Sequence, residues 1–375
     1  MESRERLLTV LAGGIPDRVP VSPDISNMVP ARLTGKPFWD IYVHQDPPLW
    51  KAYIDAVKYF GIDGGIELYS FGNMFGDEPE TETRIVKRDS EKNSFVTQYY
   101  YPETETWDRY VEVHTADNPP AMFVKPATMD LPDIPEQWEP IENVKDWPKG
   151  FELWKLIKEE MGDSGVVGMA SGMTTCLLQT PDDVYEYYEN PSKFHRIAEE
   201  MLERVRGRLK VIADSGLKPD FLFCGASGSL ILQTPDILRE LVLPALKETT
   251  RLAADMGIPT HVHSCGPEKE LVKIAAEETD LTIIDPLEIS PMGDCDLAYL
   301  KKHYGQKIIL KGNLHTTDVM LNGSVQDVIL ASKKAIEDAG QGGGFILSTG
   351  DQCGRDTPDE NIRAMIEASE TYGKY

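Results

Sequence analysis

Residues 308–348 read IILKGNLHTTDVMLNGSVQDVILASKKAIEDAGQGGGFILS, and this stretch decides the fold. Short apolar runs at 308–311 and 344–348 are bounded by turn residues, and 325–339 between them carries a helical pattern. Strand, helix, strand is the repeat of a parallel sheet, whose strands are buried on both faces and read as nearly continuous apolar runs. The same alternation runs through most of the chain. It gives strand candidates at 19–23, 65–70, 166–170, 221–225, 260–264 and 281–285 in addition to these two. Helix candidates at 191–215 and 235–256 lie between them, several opened by a Thr-Pro or Asn-Pro pair that suits an N-cap followed by the first helical residue. Eight βα units predict an α/β fold, a (β/α)8 TIM barrel. A doubly wound open sheet uses the same alternation, but no G-x-G-x-x-G follows the first strand.

One stretch breaks the pattern. Residues 81–125 contain TRIVKRD, SFVTQYYY, TWDRYVEVH and AMFVK, separated by DSEKN, PETE and ADNPP turns. These β-prone runs predict an antiparallel β meander inserted after strand 2. Residues 126–150 are rich in Pro, Asp and Trp and read as an irregular connection. Residues 1–375 are therefore read as a single TIM-barrel domain with a β-rich insertion at 81–125, the barrel itself needing roughly 250 residues.

A formal charge of −24, from 62 acids against 38 bases, argues against a surface that binds nucleic acid or anionic membranes. Charges run through the N-terminal MESRERLLTVLAGG where a signal peptide needs an apolar stretch, and no run approaches about 18 apolar residues. A cytoplasmic protein is expected. Five scattered cysteines, Cys176, Cys224, Cys265, Cys295 and Cys353, are too few for a disulfide scaffold and read as reduced thiols.

In a barrel, chemistry sits at the C-terminal ends of the strands and in the loops that follow. That filter selects Asp24, residues 171–175, Cys224, Ser227, His263, Cys265, Asp285, Glu288, Asn313, His315, Asp351 and Cys353. The pattern THVHSCG at 260–266 puts His263 and Cys265 two apart at a strand end, where alternate side chains share a face and can meet one ion. Zinc takes imidazole nitrogen and thiolate sulfur, and Cys353 and Glu288 arrive at the same rim from other strands. Two readings stay open on the residues alone: metal ligands, or buried thiols and a hydrogen-bonded interior histidine. His261 shares the face of His263 and reads as its support or as core. His44, His114, His195 and His303 read as surface residues. Asp24, Tyr69, Asn73 and Asn313 are candidate substrate contacts by their place near strand ends, and His315 and Asp351 are candidate catalytic groups, His315 as a general acid.

The opening SRERLLTVLAGGIPDRVPV, the LKGNLHTTDVMLNGS segment and GGGFILSTGDQCGRDTPDENIRAMIEA together resemble the superfamily of uroporphyrinogen decarboxylase and the corrinoid-dependent methyltransferases. The resemblance covers nearly the whole chain. The decarboxylases carry an Arg-rich N-terminal segment and a histidine in the last βα loop; here those regions read PDISNMVPARLTG and offer Asp351 and Cys353. The methyltransferase branch uses an H-x-C with a distant Cys to hold zinc, which His263, Cys265 and Cys353 match, and the related methionine synthases add an acidic ligand, where Glu288 falls. The resemblance implies a zinc methyltransferase that moves a methyl group between a small substrate and a corrinoid (cobalamin) carried by a partner protein. The substrate would be a methyl ether or other methyl donor, or a thiol, with demethylation favoured by the aromatic meander. A decarboxylase of the same superfamily and a non-catalytic zinc or corrinoid-binding protein are the alternatives.

Overall fold

The structure is a computed structural model that describes residues 1–66, 74–172, 177–178, 180–225 and 228–375. Tyr69, Asn73, Cys176 and Ser227 lie outside the described residues. The strands are β1 (Gly64–Ile66), β2 (Glu82–Asp89), β3 (Ser94–Tyr101), β4 (Thr106–Thr115), β5 (Ala121–Val124), β6 (Glu139–Pro140) and β7 (Gly165–Val167). They continue with β8 (Met169–Ala170), β9 (Leu222–Gly225), β10 (Thr260–His263), β11 (Ile283–Asp285), β12 (Ile309–Leu314) and β13 (Phe345–Thr349). The chain, read from its sequence as one domain, packs as two compact units. One comprises Met1–Asp24, Val57–Leu68 and Lys158–Tyr375, the other Ile25–Ala56 and Tyr69–Ile157.

The first unit is a parallel α/β structure. Its sheets are β1 with β7, and the order β13, β12, β11, β10, β9, β8, all parallel. The 166–170 candidate is split, with β7 pairing β1 and β8 pairing β9. Gly168 lies at the switch, where a Cβ would sit 2.5 Å from the Phe221 ring, so no side chain fits. The first strand candidate, 19–23, is reduced to a parallel bridge from Val21 to Leu347, because Pro20 and Pro23 have no N–H to give a ladder. Its carbonyls still work: Pro20 accepts from Leu347 N–H at 2.9 Å and Val21 from Asp63 N–H at 2.8 Å.

Helices at Pro191–Ser215 and Val325–Ala339 fall where the sequence pattern puts them. The second opens with a capping box, Ser324 taking the Asp327 N–H while the Asp327 carboxylate takes the Ser324 N–H. The 235–256 candidate is interrupted: Pro235–Ile237 passes through a π turn, Leu238–Val242, before Leu243–Asp255. Pro244 cannot donate to the preceding turn, and the wider turn absorbs the missing bond. The N-terminal ends of the strands are sealed by the helix Ser3–Leu11, whose Leu7, Val10 and Leu11 cluster with Val166, Phe221, Ile283, Ile309 and Ile346. Arg4 fixes that helix by a two-pronged bond to Asp220 at 2.6 and 2.7 Å. The opposite, C-terminal ends carry the polar residues.

The second unit holds the residues read as a meander. They form antiparallel pairs β2–β3, β3–β4 and β4–β5, with β6 added on β2. Val43, Ile85 and Phe95 form its small core, with Trp39, Tyr42 and Ile141 packed against it.

Candidate functional site

Strand β10 ends on His263 and pairs in register with β11, so that His263 stands opposite Asp285. The two-residue period of the strand puts His261 and His263 on one face, and both reach Asp285: His261 Nε2 and His263 Nδ1 each lie 3.0 Å from Oδ1. Lys311, on β12, supplies its ammonium to Oδ2 of the same carboxylate at 2.7 Å. With Nδ1 engaged, Nε2 of His263 faces outward, 3.3 Å from Cys265 Sγ. Cys265 Sγ is also 3.3 Å from Asp351 Oδ2, and Asp351 Oδ1 is 3.8 Å from His263 Nε2. The three donor atoms lie within 4.8 Å of one another and can hold a metal ion, the one such group among the described residues.

The local chain explains the convergence. Ser264 N–H donates to the Asp285 carbonyl at 2.8 Å, carrying the ladder one residue past β10. Gly266 then takes φ +97°, a conformation that favours glycine, and its N–H donates to Glu288 Oε2 at 2.6 Å. Asp351 lies two residues past β13 with φ +121°, which is strained for a residue with a side chain.

Charge is distributed unevenly. Burial opposes the ionised form of Asp285, but Lys311, His261 and His263 outweigh it and hold the carboxyl well below its usual range. Burial likewise opposes an imidazolium at His263, yet Asp285 and Cys265 raise it well above its ordinary value. Glu288 is pushed up, by burial and by Asp351. Glu268, buried behind the site, is pushed up strongly by burial; one oxygen accepts Leu287 N–H at 2.8 Å, and Oε1 has no hydrogen-bond partner among the described residues.

Of the residues expected as ligands, His263 and Cys265 come together. The third member of the cluster is Asp351, expected instead as a catalytic group. Cys353 and Glu288 are not in it. The Cys353 thiol is fully buried and pushed up to about 12 by burial and by Asp24, against the hydroxyls of Thr349 and Thr357; its N–H donates to the Asp24 carbonyl at 2.8 Å. Asp24 N–H donates to Thr349 Oγ1 at 3.0 Å. Asn313 is buried and donates through Nδ2 to the Leu287 carbonyl at 3.0 Å. His315 caps the turn that follows it: Nδ1 accepts from Thr317 N–H at 3.2 Å and Asp318 N–H at 3.0 Å. Lys311 was missed by the sequence reading. Its signal was available, since a lysine inside the apolar run IILKGNL must find a counter-charge if that strand is buried.

Parallel strands whose C-terminal ends present a histidine, a cysteine and a carboxylate around one point define an α/β protein with a group that can hold a metal ion. The family model for uroporphyrinogen decarboxylase (URO-D) matches residues 110–372, well over half of the chain, and the protein belongs to that family. It is 23% identical over 189 residues to a uroporphyrinogen decarboxylase of Coxiella burnetii, covering 49% of each chain. It is 28% identical over 137 residues to the methylcobamide:CoM methyltransferase MtbA of Methanosarcina mazei, covering 36% of this chain and 37% of that one. The matched stretches thus span half or less of these relatives' own length. A solved methyltransferase structure from Methanosarcina mazei aligns over 99% of both chains with a TM-score of 0.63 at 16% identity, which shows a shared fold. No helix among the described residues is long and apolar enough to cross a membrane.

Proposed function

We propose that this protein is a zinc-dependent methyltransferase that moves a methyl group between a small substrate and a corrinoid carried by a partner protein. The substrate is a methyl ether or other methyl donor, or a thiol. The observation that carries the reading is the spacing of His263 Nε2, Cys265 Sγ and the Asp351 carboxylate, 3.3, 3.3 and 3.8 Å apart. Zinc bonds of roughly 2.0–2.3 Å make tetrahedral edges of about 3.3–3.8 Å, and the shortest approach between each pair of these side chains lies in that range, Cys265 meeting one carboxylate oxygen and His263 the other. His263, Cys265 and Asp351 would hold it, imidazole and thiolate favouring zinc over harder cations; Cys353 and Glu288, expected as ligands from the sequence, lie outside this cluster. When bound, zinc supplies a Lewis acid that keeps a thiol deprotonated or polarises an ether oxygen.

The chain's own residues do the rest. Asp285 accepts the hydrogen bond of His263 Nδ1, so that a metal ion at Nε2 would take the place of the proton that nitrogen carries without it. Nδ1 of His315 accepts two backbone N–H groups, so its Nε2–H is a neutral hydrogen-bond donor for a leaving oxygen, not a source of the proton. Asp24 and Asn313 are the substrate contacts within the parallel unit. The hydrogen bond from Asp63 N–H to Val21 and the bridge from Val21 to Leu347 support reading the two parallel sheets as arcs of one closed (β/α)8 barrel, with the antiparallel strands inserted after its second strand.

Metal analysis tests the first part: protein purified without chelator should hold close to one zinc per chain, and Cys265→Ser should hold far less. Mixing with methylcobalamin and thiols, or with reduced cobalamin and methoxyarenes, should change the cobalamin spectrum. Release of CO2 from a porphyrinogen with no such change would instead identify a decarboxylase.

A further inference from the structure

Beneath the His263, Cys265 and Asp351 cluster lies a buried network on three neighbouring strands. His261 and His263 on β10, Asp285 on β11 and Lys311 on β12 are each no more than 6% exposed at the side chain. Asp285 Oδ1 accepts from both imidazoles at 3.0 Å and Oδ2 takes the ammonium at 2.7 Å. An imidazole can bind a metal only if its lone pair is on the nitrogen that faces the site, and an acceptor at the other nitrogen fixes both tautomer and ring angle. One oxygen serving two rings holds them only if the carboxylate cannot turn. Lys311 prevents the turn, because rotating Asp285 about its side-chain axis would break the ion pair.

We propose that Asp285 and Lys311 are positioning residues for the metal site, Asp285 by fixing His263 and Lys311 by fixing Asp285. This inference rests on the reading of His263 as a zinc ligand. Removing one partner takes the opposite charge from the other in a buried place, whereas removing both takes away the ion pair as a whole, so paired substitutions are the usable probes. Asp285→Ala with Lys311→Met removes the ion pair and the acceptor; Asp285→Asn with Lys311→Met removes the ion pair and keeps an amide oxygen facing the rings. Zinc affinity is measured by competition with a chromophoric chelator, and ring geometry by the visible spectrum of the cobalt(II)-loaded protein, neither needing a methyl substrate. The alanine pair should bind zinc about 10–100-fold more weakly than the wild type, with a shifted cobalt spectrum. The asparagine pair should recover only part of that loss, because its amide has no Lys311 ammonium to stop it turning. Equal affinities in the two double variants, whether wild-type or weakened, overturn the inference. A wild-type protein that binds no zinc overturns the proposed metal site itself, and this inference with it.

Discussion

Both units bury a histidine beside a carboxylate, and the two pairs are held in opposite states. In the parallel unit, His263 is raised well above its ordinary value and Asp285 held well below, with Lys311 closing the network. In the antiparallel unit, His114 stacks on Phe95 with ring centroids 4.8 Å apart, and its Nε2 lies 2.8 Å from Thr97 Oγ1. Burial pushes His114 down to about 4 and pushes Glu112 up, while the Tyr99 hydroxyl donates to Glu112 at 3.1 Å. The residue types are the same; the difference is a counter-charge. Where no lysine closes the network, burial outweighs the carboxylate and His114 is held neutral. Charge kept in a buried place marks a site where something else is meant to bind.

The largest expected effect breaks the charged cluster directly. His263→Ala should weaken zinc binding beyond the roughly 10–100-fold typical of outer partners, while His114→Ala should leave zinc affinity unchanged, both read by chelator competition. Next, Asp285→Ala alone should cost about 3–5 kcal/mol in denaturant unfolding, because the buried Lys311 ammonium loses the carboxylate it meets at 2.7 Å. The His114 cluster adds a limb of its own to the acid side of the stability curve. His114 titrates near 6.5 when unfolded and at about 4 when folded, so below 6.5 the unfolded chain takes a proton that the folded chain refuses. Stability is therefore fully present above pH 6.5 and falls by about 3 kcal/mol as the pH drops to about 4. His114→Phe should flatten that limb in unfolding curves collected across the window. The smallest effect is expected for Glu112→Gln, which keeps an oxygen for Tyr99 and should change stability by less than about 1 kcal/mol.

What was legible in the sequence was what repeats. The helix at Val325–Ala339 and the common face of His261 and His263 follow from periods of 3.6 and 2 that survive any tertiary setting. The place of Asp351 was not legible, because its backbone sits at φ +121° and no periodicity aims a side chain from such a turn. Cys353 and Asp351 are two residues apart in one loop, and only the loop's own path selects which of them meets Cys265. His114 was read as a surface residue and is 3% exposed: the strand pattern gives alternation, but not which face of a sheet is covered. Lys311 was overlooked because a lone charge in an apolar run acquires meaning only once its neighbour strand is known.

The turn at Asp351 also bears on how this protein would respond to selection for heat tolerance. Glycine would occupy that backbone conformation without the strain of about 1–3 kcal/mol that a side chain adds there. Asp351→Gly is therefore expected to hold or raise the melting temperature while deleting a donor from the cluster. A library sorted for thermal survival alone would drift toward glycine at this position, and the hardiest clones would be the ones with the weakest grip on metal.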